Sequence, residues 1–252
     1  MKLQYFIIGI ILFLSHSSFA QEDSLITSGT IEFEKKIDSY AQMRKRLKGN
    51  PSPATLRAYN EYRDNQPQFL KVQSKLDFKD HVSLFTPLNA QGTLIIDPGQ
   101  SQSIVFNDCF RKTSIVQKQF LETTFLISDS TRQIRWKMTN ETRHIAGFLC
   151  RRANAVIMDS IYVVAFFTVK IQLSSGPESF AGLPGMILGL ALPHENITWF
   201  ATRVTARPAS QISITAPSKG KPITNAGFKI VIIETLKGWG AFKPEMLLQF
   251  LL

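Results

Sequence analysis

A mainly β protein, built as a curved antiparallel sheet or half-barrel-like meander, is the fold class this chain predicts. Three observations carry that reading. Between about residues 68 and 204, apolar residues recur with a period of two in short runs. Turn-forming pairs such as Lys79-Asp80, Asn140-Glu141 and Asp159-Ser160 separate the runs. No helical pattern alternates with them, which argues for a meander and against a parallel sheet with crossover helices.

Taken in order, residues 1–20 read as a secretory signal peptide. Lys2 is the only charge, residues 6–14 are apolar except for Gly9, and Ser18-Phe19-Ala20 places small residues where a signal peptidase cuts. The apolar run is shorter than the roughly 20 residues a membrane span needs. No cysteine follows the cut, so no lipid anchor is expected on the mature N-terminus, and no later stretch reads as a membrane helix. The expectation is an exported protein, in the periplasm first, with the cell surface or secretion as alternatives. Residues 21–252 are expected to form a single β-rich domain.

The 252 residues carry a formal charge of +10. In an exported chain that basicity loses its usual reading as nucleic-acid binding, and no nucleic acid is expected. Anionic head groups are available as partners, but a basic soluble surface is explanation enough. The densest cluster, Arg44-Lys45-Arg46-Leu47-Lys48, lacks interleaved aromatics and reads as the solvated face of a short helix.

Residues 28–39 alternate and predict a first strand. A polar stretch over 38–66 follows, with short helices at 39–48 and 55–64 around Pro51-Ser52-Pro53, the second capped by Ser52 or entered through Pro53. Residues 70–78 and 81–85 predict a hairpin. Shorter strands are expected near 92–96, 102–107, 113–118 and 122–128. Residues 132–138 alternate with Ile134, Trp136 and Met138 on one face, and Asn140-Glu141 is read as a turn into 142–147. Strands at 148–158, 161–172, 186–192 and 197–204 follow, the one at 161–172 apolar on both faces for half its length. Beyond 204 the chain reads as irregular to 228. A β-like run follows at 228–234, and a C-terminal helix is expected from 236.

The chain is organised around residues 175–188, where Gly176, Pro177, Gly182, Pro184 and Gly185 interrupt apolar sequence between two strands. Leu183-Pro184-Gly185-Met186 reads as a type II turn, with proline presetting φ and glycine taking the positive φ. On these residues the chain resembles the GLPGLI family of envelope proteins from the Bacteroidota. The family's motif stands here as Gly182-Leu183-Pro184-Gly185-Met186-Ile187, preceded by Gly176-Pro177 and Phe180. The resemblance covers 120–192 well, through Ile127-Ser128-Asp129, Ile134-Arg135-Trp136-Lys137 and the stretch 140–147, and 28–110 loosely. Ala165-Phe166-Phe167 stands where family members commonly show Ala-Trp-Tyr, and Gly189 where they often carry an acid. The resemblance implies no assigned reaction.

Candidate chemistry is sparse. His81, His144 and His194 form no metal-ligand pattern, and Ser175 and Ser179 lie near the loop without a matched base. No cofactor and no metal are expected. The loop residues Gly176, Pro177, Phe180, Gly182, Leu183, Pro184 and Gly185 are read as architectural. Cys109 and Cys150 lie in a compartment that permits a disulfide, whose loop closure would contribute about 3–4 kcal/mol. Cys150 also stands where the family resembled often has a cysteine, and Cys109 matches none of its motifs, so the pairing stays open. The function expected is a non-enzymatic binding or interaction module, its partner an envelope protein or an apolar ligand. The alternatives are a carrier of a lipid-like ligand in a concavity of the sheet and an enzyme with an unrecognised site.

N-terminal sequencing of the exported protein should begin at Gln21. An intact Met1, or recovery from the cytoplasm, would overturn both the cut and the export.

Overall fold

The computed structural model describes residues 25–47, 51–88, 103–238, 247, 250 and 251. The stretch read as a signal peptide, the strand expected near 92–96 and most of the C-terminal segment beyond 238 lie outside the described residues. The chain opens with β1 (Ser28–Asp38), α1 (Ser39–Arg46), α2 (Pro53–Asn65), β2 (Phe69–Lys79) and β3 (Val82–Pro87). Next come β4 (Ser103–Asp108), β5 (Thr113–Phe120), β6 (Thr123–Ser130), β7 (Lys137–Ile145), β8 (Phe148–Ile157) and β9 (Ile161–Thr168). After the motif loop follow β10 (Met186–Leu192), β11 (Ile197–Ala206), the short β12 (Lys221–Ile223) and α3 (Asn225–Gly238).

All twelve strands among the described residues join one sheet in the order β12-β6-β5-β4-β3-β2-β1-β11-β10-β9-β8-β7. The mainly β class and the antiparallel meander hold, with β12 alongside β6 as a parallel exception. β1 and β11 pair across the centre of the sheet, Phe33 opposite Ala201 and Lys35 opposite Trp199. Local alternation cannot reveal that pairing.

Register places one face of the sheet inward along its whole width. Ile31, Phe33, Lys35 and Ile37 of β1 share it with Leu76, Phe85, Val105 and Val116 on one side and with Trp199, Leu190 and Ala165 on the other. Most of these residues are fully buried. Side chains alternate across a strand, so a residue in this row is inside whatever its polarity. Lys35 and Lys118 are therefore carried into the interior by register.

Two covers lie over this face. The motif loop lies across β11, β1 and β3, with Phe180 and Leu183 buried and Phe180 packed at 6.2 Å on the Trp199 ring. The helix α3 covers the other half, pressing Phe228, Ile232 and Leu236 onto Phe120, Phe125 and Ile127. Spacing of four places those three residues on one helical face, so the run 228–234 is helix and not the expected strand. Asp129 holds the helix start, its Oδ2 accepting from Asn225 N at 3.1 Å.

Other expectations are corrected. Residues 131–136 are not a strand; they run from β6 at one edge to β7 at the other, tucking Ile134 and Trp136 against the core while Met138 stays exposed. Asn140-Glu141 makes no turn, because β7 passes through it with a register shift between Met138 and Thr142. The chain reverses at Ala146-Gly147, where both φ angles are positive (49° and 86°), as a two-residue hairpin loop demands. The strand expected to reach 172 ends at Thr168, and Ile171 makes a parallel bridge to Ile26. The helical insertion stands as expected: Ser52 accepts from Thr55 N with Pro53 in the first turn, and no residue of α2 is buried.

The turn at 183–186 is not type II. Gly185 N donates to Leu183 O at 2.8 Å, closing a three-residue turn around Pro184, while Met186 N donates to Ile171 O at 3.0 Å. Gly185 is still required. Its φ is 155°, and a Cβ there would overlap the backbone carbonyl of Thr168. Gly185→Val should destabilise the protein by about 2–4 kcal/mol, the range of a backbone clash with no flexible neighbour to yield. Thermal unfolding beside Ser179→Ala in the same loop checks it; a Gly185→Val protein melting with the wild type would refute the steric account.

Candidate functional site

The motif loop brings a carboxylate into the core. Glu178 is buried, with φ at 53°, and its Oε1 accepts from Lys35 Nζ at 3.0 Å and from Trp199 Nε1 at 3.1 Å. Lys35 also lies 4.8 Å from the centroid of the Trp199 ring. The ion pair joins the loop to β1 and β11 together. Nearby, Ser175 and Ser83 share a buried hydrogen bond of 2.7 Å, and Trp136 Nε1 donates to Ala181 O at 2.9 Å. The loop is thus fastened at its start, middle and end.

More positive charge surrounds that carboxylate. Lys118, in the inward row of β5, is buried, and burial pushes its ammonium down to about 8; Glu178 opposes the shift, and Lys35 and Arg132 add to it. Arg132 follows β6 on the segment that crosses between the sheet edges. Burial lowers its affinity for the proton too, against the pull of Glu178. Its Nη2 donates to Leu251 O at 2.6 Å, and its guanidinium carbon lies 5.8 Å from the Phe180 ring. Among the described residues, Lys35, Lys118 and Arg132 therefore share a single buried carboxylate.

Beside this cluster, at the seam between the two covers, lies a cavity of about 790 Å³. Its walls come from β5 and β6, the Arg132 segment, the β8–β9 turn at Met158-Asp159-Ser160, Ser179 of the motif loop, the first turn of α3, and Leu247 and Leu251. Three of the lining atoms, Ser114 Oγ, Arg132 Nη1 and Ser179 Oγ, are buried with no hydrogen-bond partner among the described residues. An orphaned buried polar group costs about 1–3 kcal/mol, more when charged. Asp129, also on the wall, has its carboxyl pKa lowered by the backbone N–H groups of Ser130 and Asn225.

Of the residues singled out from sequence, Gly176, Pro177, Phe180, Leu183 and Gly185 are buried, and Gly182 and Pro184 are exposed. A Cβ on Gly176 would lie 2.7 Å from Ile187 Cβ and 2.9 Å from Phe180 O, so this glycine marks a tight crossing. Cys109 and Cys150 are both free thiols. Cys109 Sγ reaches Ser174 O and Cys150 Sγ reaches Phe148 O, each at 3.5 Å. Burial, the larger cause, with Asp108 adding to it, pushes the Cys109 thiol up to about 11; burial pushes Cys150 up to about 12, so neither is a ready nucleophile. The His81 ring packs at 5.6 Å on Phe110 and the His194 ring at 6.4 Å on Tyr162. Among the described residues, no three His, Cys, Asp or Glu side chains gather as a metal-binding group, and no helix is long and apolar enough to cross a membrane.

Lys35, Lys118, Arg132, Glu178 and the seam cavity escaped sequence reading. The available signal was phase: a lysine in step with Ile31, Phe33 and Ile37, and another in step with Val116 and Phe120.

Fold and site together define an open, mainly antiparallel sheet whose inner face is covered by its own loop and helix, with a cavity of mixed polar and apolar lining at the seam between them. A family model described as a protein of unknown function (Porph_ging) matches residues 155–189, from β8 through the motif loop into β10. The fold is similar to that of PNGF-II. Its structure in space group P21 gives a TM-score of 0.52 at 15% identity, over 82% of this chain and 33% of that one. In space group C2 the TM-score is 0.53 at 10% identity, over 81% of this chain and 32% of that one. The chain spans about a third of the length of these solved chains. No curated protein matches.

The Lys118 ammonium generates a pH test. Its proton leaves at about 8 in the folded protein and at the ordinary 10.5 in the unfolded chain. Between those values the unfolded chain binds more protons, so stability rises with pH across that window. Lys118→Met should therefore melt above the wild type at pH 7, by an equivalent of about 1–3 kcal/mol, the two converging towards pH 10. Melting curves from pH 7 to 10 measure this. A variant melting below the wild type throughout would refute the account.

Proposed function

We propose that the chain is an exported envelope protein of the GLPGLI type acting as a non-enzymatic binding module, its ligand lodged in the cavity at the seam. The observation that carries this reading is the cavity itself. Its volume of about 790 Å³ falls within the roughly 300–1,000 Å³ of pockets that take small organic ligands. Its walls are drawn from β5 and β6, the β8–β9 turn, the motif loop and α3, so a ligand there would touch both covers and both halves of the sheet.

Further support comes from what the polar groups of the loop do. The Glu178 carboxylate is engaged by Lys35 and Trp199, Ser175 is engaged by Ser83, and both thiols are held protonated by burial. None of these is poised as a nucleophile or base, which favours binding over catalysis. The match of residues 155–189 to a family of unknown function is in keeping with the GLPGLI type, since that stretch holds Gly176 through Ile187.

Native mass spectrometry of the exported protein, purified without detergent, tests the reading. A small-molecule adduct is expected on the wild type and absent from Ala226→Trp, which fills the cavity from an exposed position on the first turn of α3. Bare protein mass for both would overturn it.

A further inference from the structure

We propose that the seam cavity selects a small amphiphile with an anionic head, a carboxylate or a phosphate, held by Arg132 with Ser114 and Ser179. Its apolar part would lie along Val116, Ile127 and Leu251. The proposal rests on the binding-module reading above and names its ligand class.

Charge and hydrogen bonding independently favour an anionic head group. Among the described residues, Lys35, Lys118 and Arg132 are the cations and Glu178 the carboxylate of one interior cluster, so these groups leave it positive. Arg132 is the member of that cluster on the cavity wall. One of its terminal nitrogens holds Leu251 O, and the other is buried without a partner among the described residues. Ser114 Oγ and Ser179 Oγ, buried and likewise without a partner among them, line the same cavity. One guanidinium N–H and two hydroxyls are donors suited to the oxygens of a carboxylate or phosphate. A purely apolar ligand would leave all three unsatisfied.

A cation fits poorly. Asp129, the carboxylate nearest in sequence to Arg132 on this wall, already accepts from the backbone of Ser130 and from the start of α3, and Asp159 sits exposed in the β8–β9 turn. Lys229 adds positive charge on the exposed side of α3. The tail is argued from the rest of the wall, where Val116, Ile127, Met158, Leu247 and Leu251 are apolar. A free inorganic anion would leave that surface uncovered.

Titration calorimetry of the full chain with decanoate, decyl phosphate, decan-1-ol and inorganic phosphate tests this. At least one decyl anion should bind about tenfold or more tightly than decanol, the scale of a charge-assisted contact. Which of the two binds better tells a carboxylate source from a phosphate source. Ser179→Ala should lose severalfold in anion affinity while melting no lower than the wild type, since its hydroxyl has no partner among the described residues to lose. Arg132→Met, checked for folding by circular dichroism, should bind anion and alcohol alike. Equal binding of decanol and both anions by the wild type would overturn the anionic head while leaving the binding module standing. Inorganic phosphate binding as tightly as its decyl ester would overturn the amphiphile. No binding of any decyl probe would overturn the site, and the adduct experiment with Ala226→Trp then decides the binding module separately.

Discussion

The bond from Lys35 to Glu178 is the contact on which the inner face depends. Lys35 faces inward because β1 pairs with β2 and β11 in a register that puts Ile31, Phe33 and Ile37 there too. Alone, that ammonium would be a buried charge without a partner, and breaking such a pair costs about 3–5 kcal/mol. Glu178 supplies the counter-charge only if the motif loop turns back over the sheet. The loop does so with Glu178 at a φ of 53°, a conformation most residues avoid. Trp199 completes the arrangement from the facing strand, donating to the same oxygen that Lys35 contacts. One carboxylate thus fixes the loop, the central strand pair and an indole at once.

A sheet of twelve strands presents more apolar surface than one short loop can cover, so the chain covers its inner face twice. The motif loop arrives from between β9 and β10, and α3 arrives after β12 at the opposite edge. Neither reaches the other fully. Residues 131–136 bridge them, which is why Arg132 sees both Phe180 of the loop and Leu251 beyond the helix. The edges are managed differently. β7 is mostly exposed and carries Lys137, Arg143 and His144, while β6 is shielded by the three residues of β12. Charged or very short edges discourage pairing with another chain.

Much of this was legible in sequence wherever a rule is local. Alternation marked β1, β2, β3, β8 and β10 because each buries one face or both, and Ser52 with Pro53 announced α2. Local rules failed where tertiary contacts decide. Residues 228–234 are β-branched and aromatic enough to resemble a strand, yet Phe228, Ile232 and Leu236 have a helical partner surface waiting on β5 and β6. Pro184-Gly185 satisfied the requirements of a type II turn, but Thr168 lies so close that the chain adopts a tighter one. Asn140-Glu141 has turn composition and lies inside a strand, while Ala146-Gly147 carries the reversal. The candidate site was the least legible part. A lysine in an alternating strand looks solvent-facing until register shows which phase is buried, and register across β1 and β11 spans most of the chain.

The position of the cavity follows from the same register. The inward row of β5 reads Ser114, Val116, Lys118, Phe120, so polar and apolar groups alternate along the buried side of one strand. Val116 and Phe120 offer apolar contact along that row, while the Ser114 hydroxyl is buried without a partner among the described residues and the Lys118 ammonium is buried in the field of Glu178. The helix accordingly packs on the Phe120 end, where the row is apolar, and the loop packs over β11, β1 and β3, where Glu178 meets Lys35. Between those two solutions the row has no apolar answer, and there the covers part. The cavity is where the two covers part over β5 and β6, and its wall carries the Ser114 hydroxyl and the Arg132 guanidinium beside the apolar Val116, Ile127 and Leu251.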